Sequence, residues 1–199
     1  MKYLIVLLLG LGSVTLTNAQ QSYTDSLQAF RVKYLDELYP IIKADTAHIR
    51  FYPVHAALRV KAKVELLQDQ PVFKLATSSG KTKEARKYAL LRFKLKGKSC
   101  SLYAYQLLGL MNKEETARHL FLPFTDLSSG GESYGGGRYI DLEIDDIQAD
   151  QTVTIDFNKA YNPYCAFTTG YNCPVPPREN ALPVSIKAGE RYQPEKFEH

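Results

Sequence analysis

The sequence contains no tryptophan and few cysteines, with three among its 199 residues. It also lacks a strong charge of either sign, because 25 basic residues face 21 acidic ones and the formal net charge is +4. A nucleic-acid-binding surface usually shows a dense basic stripe, so this balance argues against a nucleic-acid partner. The chain has no apolar run of the roughly 20 residues that a membrane-spanning helix requires.

A shorter apolar run, from Tyr3 to Leu11, follows Lys2 and is followed by Thr17, Asn18 and Ala19. One basic residue, an apolar segment and small residues before a cut are typical of a secretory signal peptide. We therefore predict a signal peptide over residues 1–19 and a single β-rich domain over residues 20–199, periplasmic or secreted. The alternative is a buried N-terminal strand. With the signal removed, no membrane partner is expected.

Two hydrophobic periods divide the rest of the chain. Leucine and aromatic residues recur every three or four positions between Ser22 and Lys43, which predicts an amphipathic helix. From Leu58 to Leu66, apolar and charged residues alternate, which predicts a half-buried strand. A second helix is predicted over Asn112–His119. Further strands are predicted over Val72–Ala76, Tyr88–Leu95, Ser101–Leu107, Arg138–Leu142, Thr152–Phe157 and Leu182–Ile186.

Short turn-forming segments separate several of these strands, for example around Gly80 and Gly97. The fold class is therefore predicted as α+β and mainly antiparallel β, a partial barrel or sandwich with an N-terminal helix. The acidic run from Asp141 to Asp146 lacks the spacing of a calcium loop and is interpreted as a solvated strand face. The eight basic residues between Lys81 and Lys98 are interpreted as solvated hairpin faces, with an anionic partner as the alternative.

The cysteines and histidines do not form a metal-binding pattern. No C-x-x-C pair or close histidine pair is present, so neither a metal nor a cofactor is expected. Cys165 and Cys173 are eight positions apart, and in an oxidising compartment they are candidates for a disulfide, or else remain free thiols. A nucleophilic cysteine would need His55 or His119 as its base.

The C-terminal half carries unusual blocks of glycine, proline, tyrosine and polar residues: LPFTDLSSGGESYGGGRYID, DFNKAYNPYCA, CPVPPREN and IKAGE. These blocks resemble the bacterial and archaeal family called domain of unknown function 1684, over roughly Phe51 to Arg191. The resemblance implies a shared fold and a shared site, but no activity.

Arg138 follows a cluster of five glycines whose backbone N–H groups could form an anion-binding nest. An arginine beside such a nest would grip a carboxylate or phosphate with two hydrogen bonds. The alternative is a turn and bulge that lead into the next strand. No nucleotide-binding glycine motif is present.

Polar residues at strand ends and on stiff segments complete the candidate site. Asp156, Glu179 and Arg138 are the catalytic candidates, because two carboxylates could act as an acid–base couple. The candidates for ligand binding are Arg138, Tyr139, Asn158, Tyr161, Asn162 and Asn180. Three functions remain open: a pocket for a polar small molecule, a hydrolase or transferase, and a purely structural role in which these side chains support irregular backbone.

Overall fold

The computed structural model describes the backbone of residues 9–197 and the side chains of residues 20–197. Helix α1 spans Leu9–Ile42, so the helix predicted over Ser22–Lys43 is its C-terminal part. The side chains of the predicted signal peptide, residues 1–19, lie outside this description. Within the described residues, no helix combines the length and apolar character needed to cross a bilayer.

Seven strands follow α1 in the part of the chain that the structure describes, and most of them match the predicted positions. Their bounds are β1 Arg59–Leu66, β2 Phe73–Ala76, β3 Thr82–Leu95, β4 Lys98–Leu107, β5 His119–Phe124, β6 Arg138–Glu143 and β7 Thr152–Asp156. In β1 the predicted alternation is seen directly, since Ala62 and Val64 are buried while Lys61 and Lys63 are exposed.

The strands form one antiparallel sheet in the order β6-β5-β4-β3-β1-β7, with β2 paired to the first part of β3. The sheet curls into a half-barrel, which confirms the α+β, mainly antiparallel fold class. A register shift between Lys87 and Ala89 breaks the regular pairing of β3 with β4. Such a bulge increases the local twist and bends the strand that carries it.

The helix predicted over Asn112–His119 is wrong. Only Glu114–Thr116 forms a short 3-10 turn, and His119 begins strand β5. Nearly all of β5 is buried, so the strand shows a continuous apolar run instead of an alternation. Pro123 within that run argues against a central strand, because proline cannot donate a ladder hydrogen bond.

The strand predicted over Leu182–Ile186 is also wrong, although its pattern of burial is right. Leu182, Val184 and Ile186 are buried, yet the segment belongs to no strand. The Ile186 amide donates to the Asp126 carboxylate, and the Ile186 carbonyl accepts from Arg138. Main-chain hydrogen bonds also join Leu182 to Thr125 and Val184 to Leu127. These side chains and a few main-chain bonds therefore hold the segment without a regular strand ladder.

Candidate functional site

Arg138 lies at the start of β6, and its side chain has no exposed surface. One terminal nitrogen donates to the carbonyls of Ala188 and Glu190, and the other donates to Asp126 Oδ2 at 2.8 Å and to the Ile186 carbonyl at 2.8 Å. The two terminal nitrogens thus bind one carboxylate and three backbone carbonyls, while Nε is buried with no partner among the described residues. This geometry supports the backbone of residues 186–190 and leaves Arg138 no surface on which a ligand could bind.

Asp156 and Asn158 form a local hydrogen-bonded group at the end of β7. Asp156 accepts from the Asn158 backbone and side-chain amides and from the Tyr23 hydroxyl of α1 at 2.9 Å. The Asn158 side chain is fully buried, and its amide group bonds both the N–H and the C=O of His55. These contacts fasten α1 and the segment before β1 to the sheet.

The side chain of Asn180 bridges strands β4 and β5 at Pro123, which has no N–H group to donate. Its amide oxygen accepts from the Tyr103 N–H in β4, and its amide nitrogen donates to the Tyr103 and Pro123 carbonyls. Strands β4 and β5 share only the Tyr105–Phe121 pair. A side-chain amide offers the same donor and acceptor as a peptide group, so Asn180 acts as a substitute for missing strand pairing.

Glu179 is bound at the surface, where Lys87 Nζ lies 3.1 Å from its carboxylate and Tyr105 donates to it. Partial burial raises the pKa of Glu179, but hydrogen bonds from the backbone, Lys87 and Tyr105 outweigh burial, and the net pKa is lowered. Among the described residues, Glu179 and Asp156 share no hydrogen-bonding partner. The proposed couple of two carboxylates therefore has no support in the geometry.

Tyr139 and Tyr161 lie elsewhere, in the wall of a hollow at the β6 end of the sheet, whereas Asn162 is fully buried and does not line it. The volume of the hollow is about 450 Å³, and strands β3 to β6 contribute to its wall. The aromatic and apolar residues that line it are Leu107, Leu110, Phe121, Tyr139, Tyr161, Pro163, Tyr164, Tyr171 and Pro174. A concave surface with aromatic walls and a few polar groups is typical of a small-molecule site.

The polar end of this hollow is a chain of three side chains. His119 Nε2 lies 2.8 Å from Asp141 Oδ1, and the Tyr161 hydroxyl donates to Asp141 Oδ2 at 2.8 Å. Burial lowers the pKa of His119, but the hydrogen bond and the charge of Asp141 outweigh it, so the net pKa is raised. Burial and the same carboxylate hold the pKa of Tyr161 well above its usual range, so this phenol remains a donor.

A second hollow of about 280 Å³ adjoins the first and is lined by the α1 residues Lys33, Tyr34 and Glu37, among others. Asp141, Tyr161 and Tyr164 line both hollows. The carboxylate of Asp141, with 48% of its side chain exposed, therefore lies at their junction.

Asn162 and Tyr34 meet behind this junction at a carboxyl group that the sequence did not single out. Glu190 is fully buried, and its Oε2 accepts from the Asn162 N–H and from the Tyr34 hydroxyl, both at 2.8 Å. Burial raises the pKa of Glu190 to about 8, although its hydrogen bonds and the charge of Arg138 lower it. Glu190 Oε1 and Asn162 Oδ1 find no hydrogen-bonding partner within the described chain.

The sequence does not single out Asp141, which its pattern places on a solvated strand face, and it offers His119 only as a base for a cysteine and as the end of a predicted helix. The pairing of β5 with β6 brings these two residues together. One feature of the sequence could have identified Asp141. Side chains alternate along a strand, so Asp141 lies on the same face of β6 as Tyr139, which is a candidate for ligand binding. Groups of three or more metal-binding side chains are absent from the described part of the chain.

Cys165 and Cys173 form a disulfide beside the hollow, and Cys100 is free and buried. The loop that the bond closes carries Tyr171 and Asn172, which line the hollow with Cys173 itself. Closing so short a loop stabilises a fold by about 2–3 kcal/mol in the chain-entropy model. The disulfide therefore restrains one wall of the hollow.

Comparison with known proteins agrees with the resemblance seen in the signature blocks. A solution NMR structure of an uncharacterised protein from Haloarcula marismortui is 32% identical, covers 87% of this chain and 96% of that chain, and superposes with a TM-score of 0.67. No curated protein matches the sequence. The family model described as "Protein of unknown function (DUF1684)" matches residues 44–191. The chain therefore belongs to the DUF1684 family.

Proposed function

We propose that this protein binds a small organic molecule in the aromatic hollow, with the molecule's apolar body against the rings and its polar group at Asp141. The observation that carries this proposal is the hollow itself, in which a half-exposed carboxylate lies at the end of a wall built from tyrosine and phenylalanine. Apolar walls supply affinity, while a single polar group fixes the orientation of the ligand.

An enzyme is the second candidate, because His119 and Asp141 form a hydrogen-bonded pair of the kind used in acid–base catalysis. However, His119 Nε2 is engaged by Asp141, and its Nδ1 is buried with no partner in the described structure. Neither nitrogen is open to the hollow, so the ring cannot exchange a proton with a ligand there. This geometry favours binding over catalysis.

The signature blocks serve this proposed site indirectly. Arg138, Asn158 and Asn180 each use their polar atoms on backbone groups, which supports a structural role for these three residues. Tyr139, which belongs to the same blocks, donates its hydroxyl to the carbonyl of Pro174 beside the disulfide loop, and both residues line the hollow. A structural function of the blocks and a binding function of the domain are therefore compatible.

Ligand binding can be measured with a single tryptophan, because the natural sequence has none. In the variant Tyr164→Trp the indole lines both hollows, and in the control Tyr39→Trp it lies on an exposed site of α1. Titration with 2-phenylethanol is expected to change the emission of Tyr164→Trp in a saturable manner, with a dissociation constant of roughly millimolar size for so small a ligand. Tyr39→Trp is expected to remain unchanged. Equal responses of the two variants, or no response, would count against the site.

We also propose that the protein works outside the cytoplasm after cleavage between Ala19 and Gln20. The support is the pattern of Lys2, the apolar run and the small residues before Ala19, together with the disulfide, which is typical of an oxidising compartment.

Intact mass spectrometry of protein from the periplasm of an expression host is expected to give a chain that begins at Gln20. The variant Ala19→Lys, which places a long charged side chain at the cut, is expected to accumulate as the precursor. A cytoplasmic chain that still begins at Met1 would contradict export.

A further inference from the structure

Asp141 has unused capacity to accept hydrogen bonds. An ionised carboxylate offers about four lone-pair sites, and the described contacts of Asp141 are one bond from His119 and one from Tyr161. About half of the side chain is exposed at the junction of the two hollows. A hydrogen-bond donor on a ligand could therefore reach the carboxylate without displacing either partner.

The rings beside Asp141 present faces and edges at several angles. The Tyr139 and Tyr161 rings lie 5.8 Å apart and are perpendicular, and the Phe121 and Tyr139 rings lie 4.7 Å apart at 70°. The face of an aromatic ring is negative, so such rings attract an organic cation that lies within about 6 Å of their centres. The aromatic wall and the Asp141 carboxylate thus both favour a positively charged ligand.

Lys83, the lysine in the wall of the hollow, lies three strands away from Asp141. Lys83 is on β3, and strands β4 and β5 separate β3 from β6, which carries Asp141. Three inter-strand spacings place these two strands roughly 14 Å apart. In the adjoining hollow, Lys33 is paired with Glu37 at 3.6 Å. The region around Asp141 is therefore suited to a cation.

We propose that the ligand carries an organic ammonium group on a flat apolar body, and that Asp141 is its counter-ion. This inference rests on the proposed function, because it identifies the chemical class of the molecule bound in the same hollow. The ammonium donates to the free lone pairs of Asp141 and contacts the rings of Tyr139 and Tyr161, and the apolar body extends along Phe121.

The charge of His119 should then control binding. When the imidazole is protonated it neutralises Asp141 and repels a cation, and when it is neutral the carboxylate keeps its full charge. The other titratable groups that face this pair, or line the two hollows with it, are Glu143, Tyr139, Tyr161, Tyr164 and the more distant Lys83, with Lys33, Tyr34 and Glu37 from α1. Burial raises the pKa of all four tyrosines, so these phenols stay neutral near pH 7. Affinity for an ammonium compound should therefore increase as the pH rises and His119 loses its proton.

The experiment compares three probes with the same ring in the Tyr164→Trp background: 2-phenylethylamine, 2-phenylethanol and phenylacetate. The amine is expected to bind roughly tenfold more tightly than the alcohol at pH 8, and phenylacetate more weakly than either. Lowering the pH to 5 should weaken binding of the amine but not of the alcohol. Adding His119→Gln should remove this dependence on pH.

The variant Asp141→Asn keeps the size of the side chain and one acceptor oxygen, and it should abolish the preference for the amine. Asp145→Asn is the matched control, because Asp145 belongs to the same acidic run but pairs with Arg118 outside the hollow's wall. Equal affinity for the amine and the alcohol would overturn the ammonium assignment and leave the proposed binding function intact. Failure of all three probes to bind would overturn both.

Discussion

Replacement of Arg138 by methionine is expected to lower the free energy of unfolding by about 3–5 kcal/mol, the usual cost of removing one member of a buried ion pair. Arg138 and Asp126 are both fully buried at the side chain and lie 2.8 Å apart. Without the guanidinium, the Asp126 carboxylate would remain buried without its charged partner. The carbonyls of Ile186, Ala188 and Glu190 would also lose their shared donor.

Urea unfolding followed by circular dichroism measures this loss. Arg92→Met is the matched control, because Arg92 forms an ion pair with Glu65 in which both side chains are more than half exposed. Exposed pairs contribute about 0–1 kcal/mol, so the control should change little. Arg138→Lys should also be destabilised, since an ammonium cannot reproduce the fork of a guanidinium.

A double variant tests whether the cost arises from the unpaired charge. Adding Asp126→Asn to Arg138→Met removes the buried charge, so the double variant should lose less stability than the sum of the two single losses. Strict additivity would show that Arg138 and Asp126 act independently. A loss in Arg138→Met as small as that in Arg92→Met would show that the guanidinium does not hold the C-terminal segment.

Strands could be predicted from the sequence where one face of the strand is buried and the other is exposed to solvent. In β1, charged residues separate Ala62 and Val64, and this alternation directly encodes the two faces. In β5 both faces are buried, so its sequence shows no alternation of apolar and polar residues. Pro123 also argues against predicting a strand there. A buried central strand with a proline becomes intelligible only once Asn180, 57 residues later, is seen to replace the missing pairing.

The candidate site could not be predicted from local sequence patterns, because it is formed by contacts between residues that are far apart in the chain. His119 and Asp141 are 22 positions apart and meet because β5 pairs with β6 in a particular register. The polar residues that stand out in the signature blocks, such as Arg138 and Asn158, are unusual because irregular buried backbone needs them. The residues at the hollow are ordinary tyrosines and one aspartate, whose significance arises from where the fold places them.

Replacement of Glu190 by glutamine is expected to stabilise the protein at alkaline pH and to leave its stability almost unchanged near pH 5. Glu190 Oε1 and Asn162 Oδ1 are buried acceptors without donors in the described structure. A proton on the Glu190 carboxyl group avoids a negative charge in the interior, which burial disfavours. Glutamine has the same shape as the protonated acid and carries a donor at that position permanently.

The direction of the effect follows from the two pKa values. Burial raises the pKa of Glu190 to about 8 in the folded protein, against an ordinary value of 4.5. Between these values the folded state binds a proton that the unfolded state releases, so stability is greatest below the lower value and falls as the pH rises to about 8. The slope is at most about 1.4 kcal/mol per pH unit, and the whole effect amounts to a few kcal/mol.

The measurement is the free energy of unfolding of the natural protein and of Glu190→Gln from pH 5 to pH 9, expressed as their difference so that other titrating groups, such as His119, cancel. Glu132→Gln is the matched control, because Glu132 is half exposed and pairs with Lys187 at the surface. The Glu190→Gln difference should grow from pH 5 to about pH 8 and then level off, while the control stays nearly flat. A flat difference for Glu190→Gln would mean that this carboxyl group is ionised at pH 5 even in the folded state, and that its unpaired oxygen Oε1 is satisfied in another way.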